Sequence, residues 1–140
     1  MMMPKKKILV IDDEWLIRWS LAQKMRGWGY EVIEAETGAA GLRTLNVESP
    51  DLLLLDMKLP DAKGTDVLEE LRKNWPELPV IMITAFGVIE DVVTAMRRGA
   101  YDFITKPIDD DKLHGTVVHA LESAALKKKI AAYREIEKTK

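Results

Sequence analysis

The chain has 140 residues, 47% of them hydrophobic and 31% charged, with a net charge of −2. That length suits one domain with one real core, and eight glycines and six prolines are too few for a collagen-like or low-complexity chain. The absence of cysteine excludes disulfides, thiolate metal sites and cysteine nucleophiles, no apolar run is long enough to cross a membrane, and the basic start at residues 1–7 lacks a signal-peptide core, so a cytoplasmic protein is expected.

The predicted elements alternate along the chain. A strand over residues 8–11 precedes a helix marked by Leu16, Leu21 and Met25, which Gly27 and Gly29 stop. A second strand, 31–35, ends in Glu36-Thr37-Gly38, a helix start, and the helix that follows carries Ala39, Leu42 and Leu45. Pro50 precedes a third strand at 52–55, and Val67, Leu68 and Leu71 mark the third helix. The segment Asn74-Trp75-Pro76-Glu77-Leu78-Pro79 closes that helix and opens a fourth strand, 80–83. Val92, Val93 and Met96 mark the fourth helix, which Gly99 ends; a fifth strand spans 101–104, and a fifth helix runs from about Asp110 past Ile130. Four of the strands are nearly continuous apolar runs, as strands buried on both faces are. Strands alternating with helices imply βαβ units and a parallel sheet covered on both faces. Five such units predict a flavodoxin-like doubly wound α/β fold with strand order 2-1-3-4-5, whose ligands sit beyond the carboxyl ends of the strands.

Those strand ends carry the chemistry. Asp12-Asp13-Glu14 follow strand one, Asp56 strand three, Thr84-Ala85 strand four and Lys106-Pro107 strand five. Three carboxylates at two adjacent strand ends repel one another. A hard, oxygen-seeking ion such as Mg²⁺ relieves the repulsion and keeps room for a phosphate. A carboxylate such as Asp56 is then a competent nucleophile toward phosphorus. Lys106 can aim a point charge at the phosphoryl group and Thr84 a hydroxyl. The Lys106-Pro107 bond is a candidate cis peptide. The four tryptophans, at 15, 19, 28 and 75, read as core, rim or loop packing, and His114 and His119 as surface or helix-packing residues.

The runs Ile8-Leu9-Val10-Ile11-Asp12-Asp13-Glu14, Asp51 to Asp56 with Met57-Lys58-Leu59-Pro60-Asp61 and Gly64, Pro79-Val80-Ile81-Met82-Ile83-Thr84-Ala85, and Gly99-Ala100-Tyr101-Asp102-Phe103-Ile104-Thr105-Lys106-Pro107 resemble the receiver domain of two-component response regulators. The resemblance covers residues 5 to about 122. It implies that Asp56 accepts a phosphoryl group from a sensor histidine kinase. Asp13, the Asp56 carboxylate and the Met57 carbonyl would hold Mg²⁺, with Asp12 acting through water. Lys106 and Thr84 would hold the phosphoryl oxygens, and Tyr101 would be the switch aromatic that turns inward when Thr84 moves toward the phosphate; otherwise Tyr101 is an ordinary strand residue half buried beneath the fourth helix. The surface made by the fourth helix, fifth strand and fifth helix would then change its dimer or partner contacts. Lys58 and Phe86 stand where the family tunes dephosphorylation, and they predict a long-lived phosphorylated state.

Residues 1–122 read as the receiver and 123–140 as a helical extension. Residues 126–140 hold six Lys/Arg against two Glu, which leaves 15 positive against 21 negative residues in the acidic body; such a body does not by itself grip nucleic acid. Leu126, Ile130 and Tyr133 recur at coiled-coil spacing, with Glu137 at the next seam position, so a homodimer through this helix and the receiver face is expected. A long last helix leading to a basic stub resembles the receiver and linker of NtrC-type sigma-54-dependent activators. In those, an AAA+ ATPase and a DNA-binding domain would follow. A stand-alone single-domain regulator and a phosphorylation-independent interaction module are the alternatives. A phosphatase of the haloacid-dehalogenase type would want a second Asp where Lys58 stands, and no independent enzymatic turnover is expected.

Overall fold

The computed structural model describes residues 4–85 and 88–139. Its elements follow the order β1 (Lys7–Ile11), α1 (Trp15–Gly27), β2 (Glu31–Ala35), α2 (Gly38–Glu48), β3 (Leu52–Asp56), α3 (Gly64–Arg72), β4 (Val80–Thr84), α4 (Ile89–Arg97), β5 (Asp102–Thr105) and α5 (Asp110–Lys138). The five strands form one sheet in the order β2-β1-β3-β4-β5, and every pairing is parallel. This is the flavodoxin-like order expected from the alternation of elements.

Side chains alternate between the two faces of a strand, and here each face has its own core. Leu9, Ile11, Leu53, Leu55, Val80 and Met82 point toward α2, α3 and α4, where they meet Leu45, Val67, Leu68, Leu71 and Ala95. Ile8, Val10, Leu52, Leu54, Ile81, Ile83 and Ile104 point toward α1 and α5, where they meet Leu21, Ala22, Met25, Leu113, Val117 and Ala120. The inner strands therefore have no polar face, which is why their sequences read as unbroken apolar runs.

Turn chemistry separates the elements. Gly29 and Gly99 take φ of +99° and +97°, a conformation that costs glycine nothing and that ends α1 and α4 cleanly. The Thr37 side chain accepts the Ala40 N–H and caps α2, as the helix start at residues 36–38 predicted.

Several apolar markers fall elsewhere than expected. Leu16 is 66% exposed, and the buried stripe of α1 is instead Leu21, Ala22 and Met25. Trp15 and Trp19 are 63% and 52% exposed, so they are neither core nor rim, while Trp28 stacks on His114 with ring centroids 4.1 Å apart. In α4 only Ala95 is buried, and Val93 and Met96 face outward. β5 starts at Asp102 rather than at Tyr101, because Tyr101 still belongs to the turn after Gly99, its N–H donating to the Val80 carbonyl at 2.8 Å.

α5 runs 29 residues, and from residue 125 onward it is exposed all round. No helix among the described residues is long and apolar enough to cross a membrane.

Candidate functional site

The strand register builds the site. Ile11 pairs with Leu55, so Asp12 and Asp56 emerge side by side, one step beyond the pair. Asp56 is opposite Ile83, and Thr84 is opposite Thr105, so Thr84 and Lys106 complete the same rim. The Lys106 N–H donates to the Thr84 carbonyl at 2.8 Å, which ties the last two strand ends together. The Lys106–Pro107 peptide is cis, as anticipated. Asp13, Asp56, Met57, Thr84 and Lys106 line one cleft of about 550 Å³ at the carboxyl end of the sheet.

Asp12, Asp13 and Asp56 each offer a carboxylate oxygen, and these oxygens lie within 4.8 Å of one another. Asp12 is 1% exposed and Asp56 5%, whereas Asp13 is open to solvent. Asp12 Oδ1 accepts the Glu14 N–H at 2.9 Å, but its buried Oδ2 has no hydrogen-bond partner. Burial pushes the Asp12 carboxyl up to about 6; the Glu14 N–H works against this, and the Asp56 charge adds to it. A buried carboxylate oxygen that accepts no hydrogen bond is costly, and here it faces two further carboxylates. That donor set fits a hard divalent cation bound through oxygen.

The Lys106 ammonium lies 3.4 Å from Glu14 Oε1, 3.5 Å from Asp56 Oδ2 and 3.7 Å from Asp12 Oδ2. Burial lowers its pKa, but the charges of Asp12, Asp56 and Glu14 outweigh burial and hold it above the ordinary lysine value. Asp56 Oδ1 accepts the Lys58 N–H at 3.3 Å. The buried Thr84 hydroxyl donates to its neighbour's carbonyl, Ala85, at 3.3 Å; this is a long bond, easily exchanged for a better acceptor.

The β3–α3 loop is held from both sides. The Met57 carbonyl accepts the Gly64 N–H at 2.7 Å, which leaves one of its lone pairs for another partner. A Cβ on Gly64 would collide with the Asp56 carbonyl and come within 2.8 Å of the Met57 Cα, so glycine alone lets α3 begin against the Asp56 backbone. Farther along the loop, Asp61 accepts the Gly38 and Ala39 N–H groups at 2.8 and 2.9 Å. Lys58 is exposed, and among the described residues its ammonium makes no ion pair.

Asp12, Asp13, Asp56, Met57, Thr84 and Lys106 thus converge. Tyr101 does not sit where the sequence reading placed it. It packs against the α1–α5 core, while the aromatic that packs on the α4 side is Phe103, opposite Met82. The two-residue alternation along the strand held that signal: Ile104 faces α5, so Phe103 faces α4. Phe86 lies outside the described residues. Sequence reasoning also assigned nothing to Glu14, the carboxylate nearest Lys106, or to Arg18, whose Nη1 donates to the Asp12 carbonyl at 2.6 Å. Adjacency to Asp12-Asp13 could have flagged Glu14; only the fold reveals Arg18.

The response regulator receiver domain family matches residues 8–118 of this sequence. The chain belongs to that family. It is 40% identical over 122 residues to the transcriptional regulatory protein GlrR of Escherichia coli, covering 87% of this chain and 27% of that protein. It is 43% identical over 96 residues to the luminescence regulatory protein LuxO of Vibrio campbellii, covering 69% of this chain and 21% of that protein. A crystal structure of NtrX from Brucella abortus in complex with ADP superposes with a TM-score of 0.87 at 40% identity, over 91% of this chain and 30% of that one. The isolated receiver domain of the same NtrX gives 0.80 at 43% identity, over 82% of this chain and 98% of that one. This receiver therefore spans only about a quarter of the length of these two curated relatives, at 27% and 21%. These relatives agree with the resemblance to the receivers of NtrC-type regulators.

Proposed function

We propose that this receiver is a phosphorylation switch, with Asp56 as the acceptor of a phosphoryl group from a sensor histidine kinase. The observation that carries the reading is the convergence of Asp12, Asp13 and Asp56 under the Lys106 ammonium, with Asp12 Oδ2 buried and unsatisfied. Asp13, Asp56 and the Met57 carbonyl would hold Mg²⁺, with Asp12 acting through water, and the ion would neutralise charge on the phosphoryl oxygens. An Asp56 oxygen forms the new P–O bond; the donor's P–N bond breaks and its electron pair returns to the imidazole. Lys106 stabilises the charge carried by the phosphoryl oxygens. The switch consumes no separate substrate.

Phosphorylation adds about −1.5 to −2 charge and three acceptor oxygens. The Thr84 hydroxyl then exchanges its long bond to Ala85 for a phosphoryl oxygen. That movement opens space on the α4 side, and we assign the answering aromatic to Phe103 rather than Tyr101, because Phe103 packs on that side. The surface it reshapes, α4-β5-α5, exposes Ile89, Val93 and Met96. A homodimer through that surface, extended by Leu126, Ile130 and Tyr133 of α5, controls an output that follows residues 123–140 in a longer protein: an AAA+ ATPase and a DNA-binding domain. The receiver itself grips no DNA. Lys58 and Phe86 act on the lifetime of the phosphorylated state, which is long.

The test is treatment with acetyl phosphate and Mg²⁺, with Asp56→Asn as the control, followed by intact mass and solution molar mass together. One added phosphoryl group, absent in the variant, with a shifted dimer population is the expected result. No phosphorylation under these conditions would overturn the reading, and an acyl phosphate lost within seconds would overturn the assigned lifetime.

A further inference from the structure

Asp12 is anchored at nearly every polar atom. Its N–H donates to the Ala35 carbonyl at 3.1 Å, and its Oδ1 accepts the Glu14 N–H at 2.9 Å. Its carbonyl accepts Arg18 Nη1 at 2.6 Å. The one atom left without a hydrogen bond is the buried Oδ2, which faces Asp13 and Asp56 and lies 3.7 Å from the Lys106 ammonium. A carboxylate held so firmly, with one oxygen accepting no hydrogen bond, is preorganised for a ligand.

Arg18 is the only side chain among these anchors. It lies in the first turn of α1, with its side chain 12% exposed. Its Nε is 3.3 Å from Glu34 Oε1 and its Nη2 4.0 Å from Glu36 Oε1, so the guanidinium is itself oriented by β2 and the residue that follows it. The planar fork suits this bridging role, and an ammonium could not reproduce it in full. Arg26 gives a natural contrast. It also reaches Glu34, at 3.6 Å, and donates to the Val32 carbonyl at 3.1 Å, but it makes no contact with Asp12.

We infer that Arg18 is a positioning residue for the divalent cation site: through the Asp12 carbonyl it fixes the β1–α1 turn so that the Asp12 and Asp13 carboxylates are presented together to the ion. The inference rests on the proposed cation site. Partners that orient ligands from outside the coordination shell typically govern about 10–100-fold of metal affinity.

The experiment is a Mg²⁺ titration of the whole chain, read by isothermal calorimetry and by tryptophan emission, to which Trp15 and Trp19 on the same helix contribute, with thermal melts run in parallel. Four proteins are compared: the unaltered chain, Arg18→Met, Arg18→Lys and Arg26→Met. Arg18→Met should weaken Mg²⁺ by about tenfold or more, Arg18→Lys should recover part of the loss, and Arg26→Met should bind as the unaltered chain does even if it melts lower. If the unaltered chain binds Mg²⁺ and Arg18→Met binds it equally well, the inference falls while the proposed function stands. If Arg26→Met weakens binding as much as Arg18→Met, the effect is general loosening of β2 and the inference also falls. If the unaltered chain binds no Mg²⁺, the proposed site and the inference fall together.

Discussion

Helices α3 and α4 are each nine residues long and pack into the same apolar layer, yet they are bound very differently. α3 buries Gly64, Thr65, Val67, Leu68 and Leu71, and its first residue lies against the Asp56 backbone. α4 buries Ala95 alone and leaves Val88, Ile89, Val93 and Met96 between 38% and 74% exposed. Among the described residues, the polar contacts that hold α4 are concentrated at its far end, where Arg98 meets Asp66 at 2.9 Å and Glu69 at 3.5 Å, and where Arg72 donates to the Gly99 carbonyl at 2.6 Å. Neither helix has a side-chain cap at its start, at Lys63 or at Val88, so the difference lies in buried side chains. Two helices of equal length in one layer thus differ: α3 is a fixed wall of the cleft at the strand ends, and among the described residues α4 is tethered mainly at its far end. Elements that move are drawn from those with little buried apolar contact.

The sharpest way to break this comparison is to truncate one side chain in each helix. Leu68→Ala should cost about 2–5 kcal/mol, the range for a fully buried leucine, whereas Val93→Ala should fall within about 0.5 kcal/mol of the parent. Urea unfolding checks both, and equal losses would mean that the two helices are equally packed. The next largest effect belongs to Arg72, which donates to the Trp75, Leu78 and Gly99 carbonyls and has its pKa lowered by burial. Arg72→Met strands those acceptors and should cost about 2–3 kcal/mol. Hydrogen exchange should show the loss concentrated at the end of α4, with the first turn of α3 spared.

The same contrast explains what could be read from the sequence and what could not. Buried strands write themselves as apolar runs, so β1, β3 and β4 were legible, and the acidic and basic residues that follow them placed most of the site. Helix stops at Gly29 and Gly99 were legible because positive φ selects glycine. Helix faces were not. Val93 and Met96 have the helical spacing of a core stripe yet lie outside, and Trp15 and Trp19 do the same on α1, since periodicity identifies an apolar face without saying whether this chain covers it. Tyr101 was misplaced because it lies just before β5 and escapes the two-residue alternation that would have put it on the same face as Phe103. Arg18 was invisible for a different reason: its partner is a backbone carbonyl, and main-chain acceptors leave no mark in a sequence.

A smaller effect tests the tether of α4. The side chain of Arg98 is 32% exposed and those of its partners Asp66 and Glu69 60% and 61%, so Arg98→Ala should cost about 0.5 kcal/mol, and less at high salt. Its consequence should be local. Amides of α4 should exchange faster while those of α3 hold, and uniform loss across both helices would show that Arg98 does not act as a local anchor.

The smallest effect concerns how α3 begins. The loop that leads into it is pinned to α2 by Asp61, whose carboxyl the Ala39 and Gly38 N–H groups hold below the ordinary carboxylate range. A folded value below the unfolded one means that this contribution is fully present above the unfolded pKa, near 3.8, and is lost as pH falls through the folded value. Asp61→Asn should therefore lower the urea midpoint at neutral pH, and its curve should converge on that of the parent toward about pH 2. Parallel curves across that window would show that the charge does not matter. Because the substitution frees the start of α3 much as Val88 leaves the start of α4, α3's first-turn amides should lose protection while Leu68 and Leu71 keep theirs. The division between the two helices would then rest on buried side chains rather than on how each helix begins.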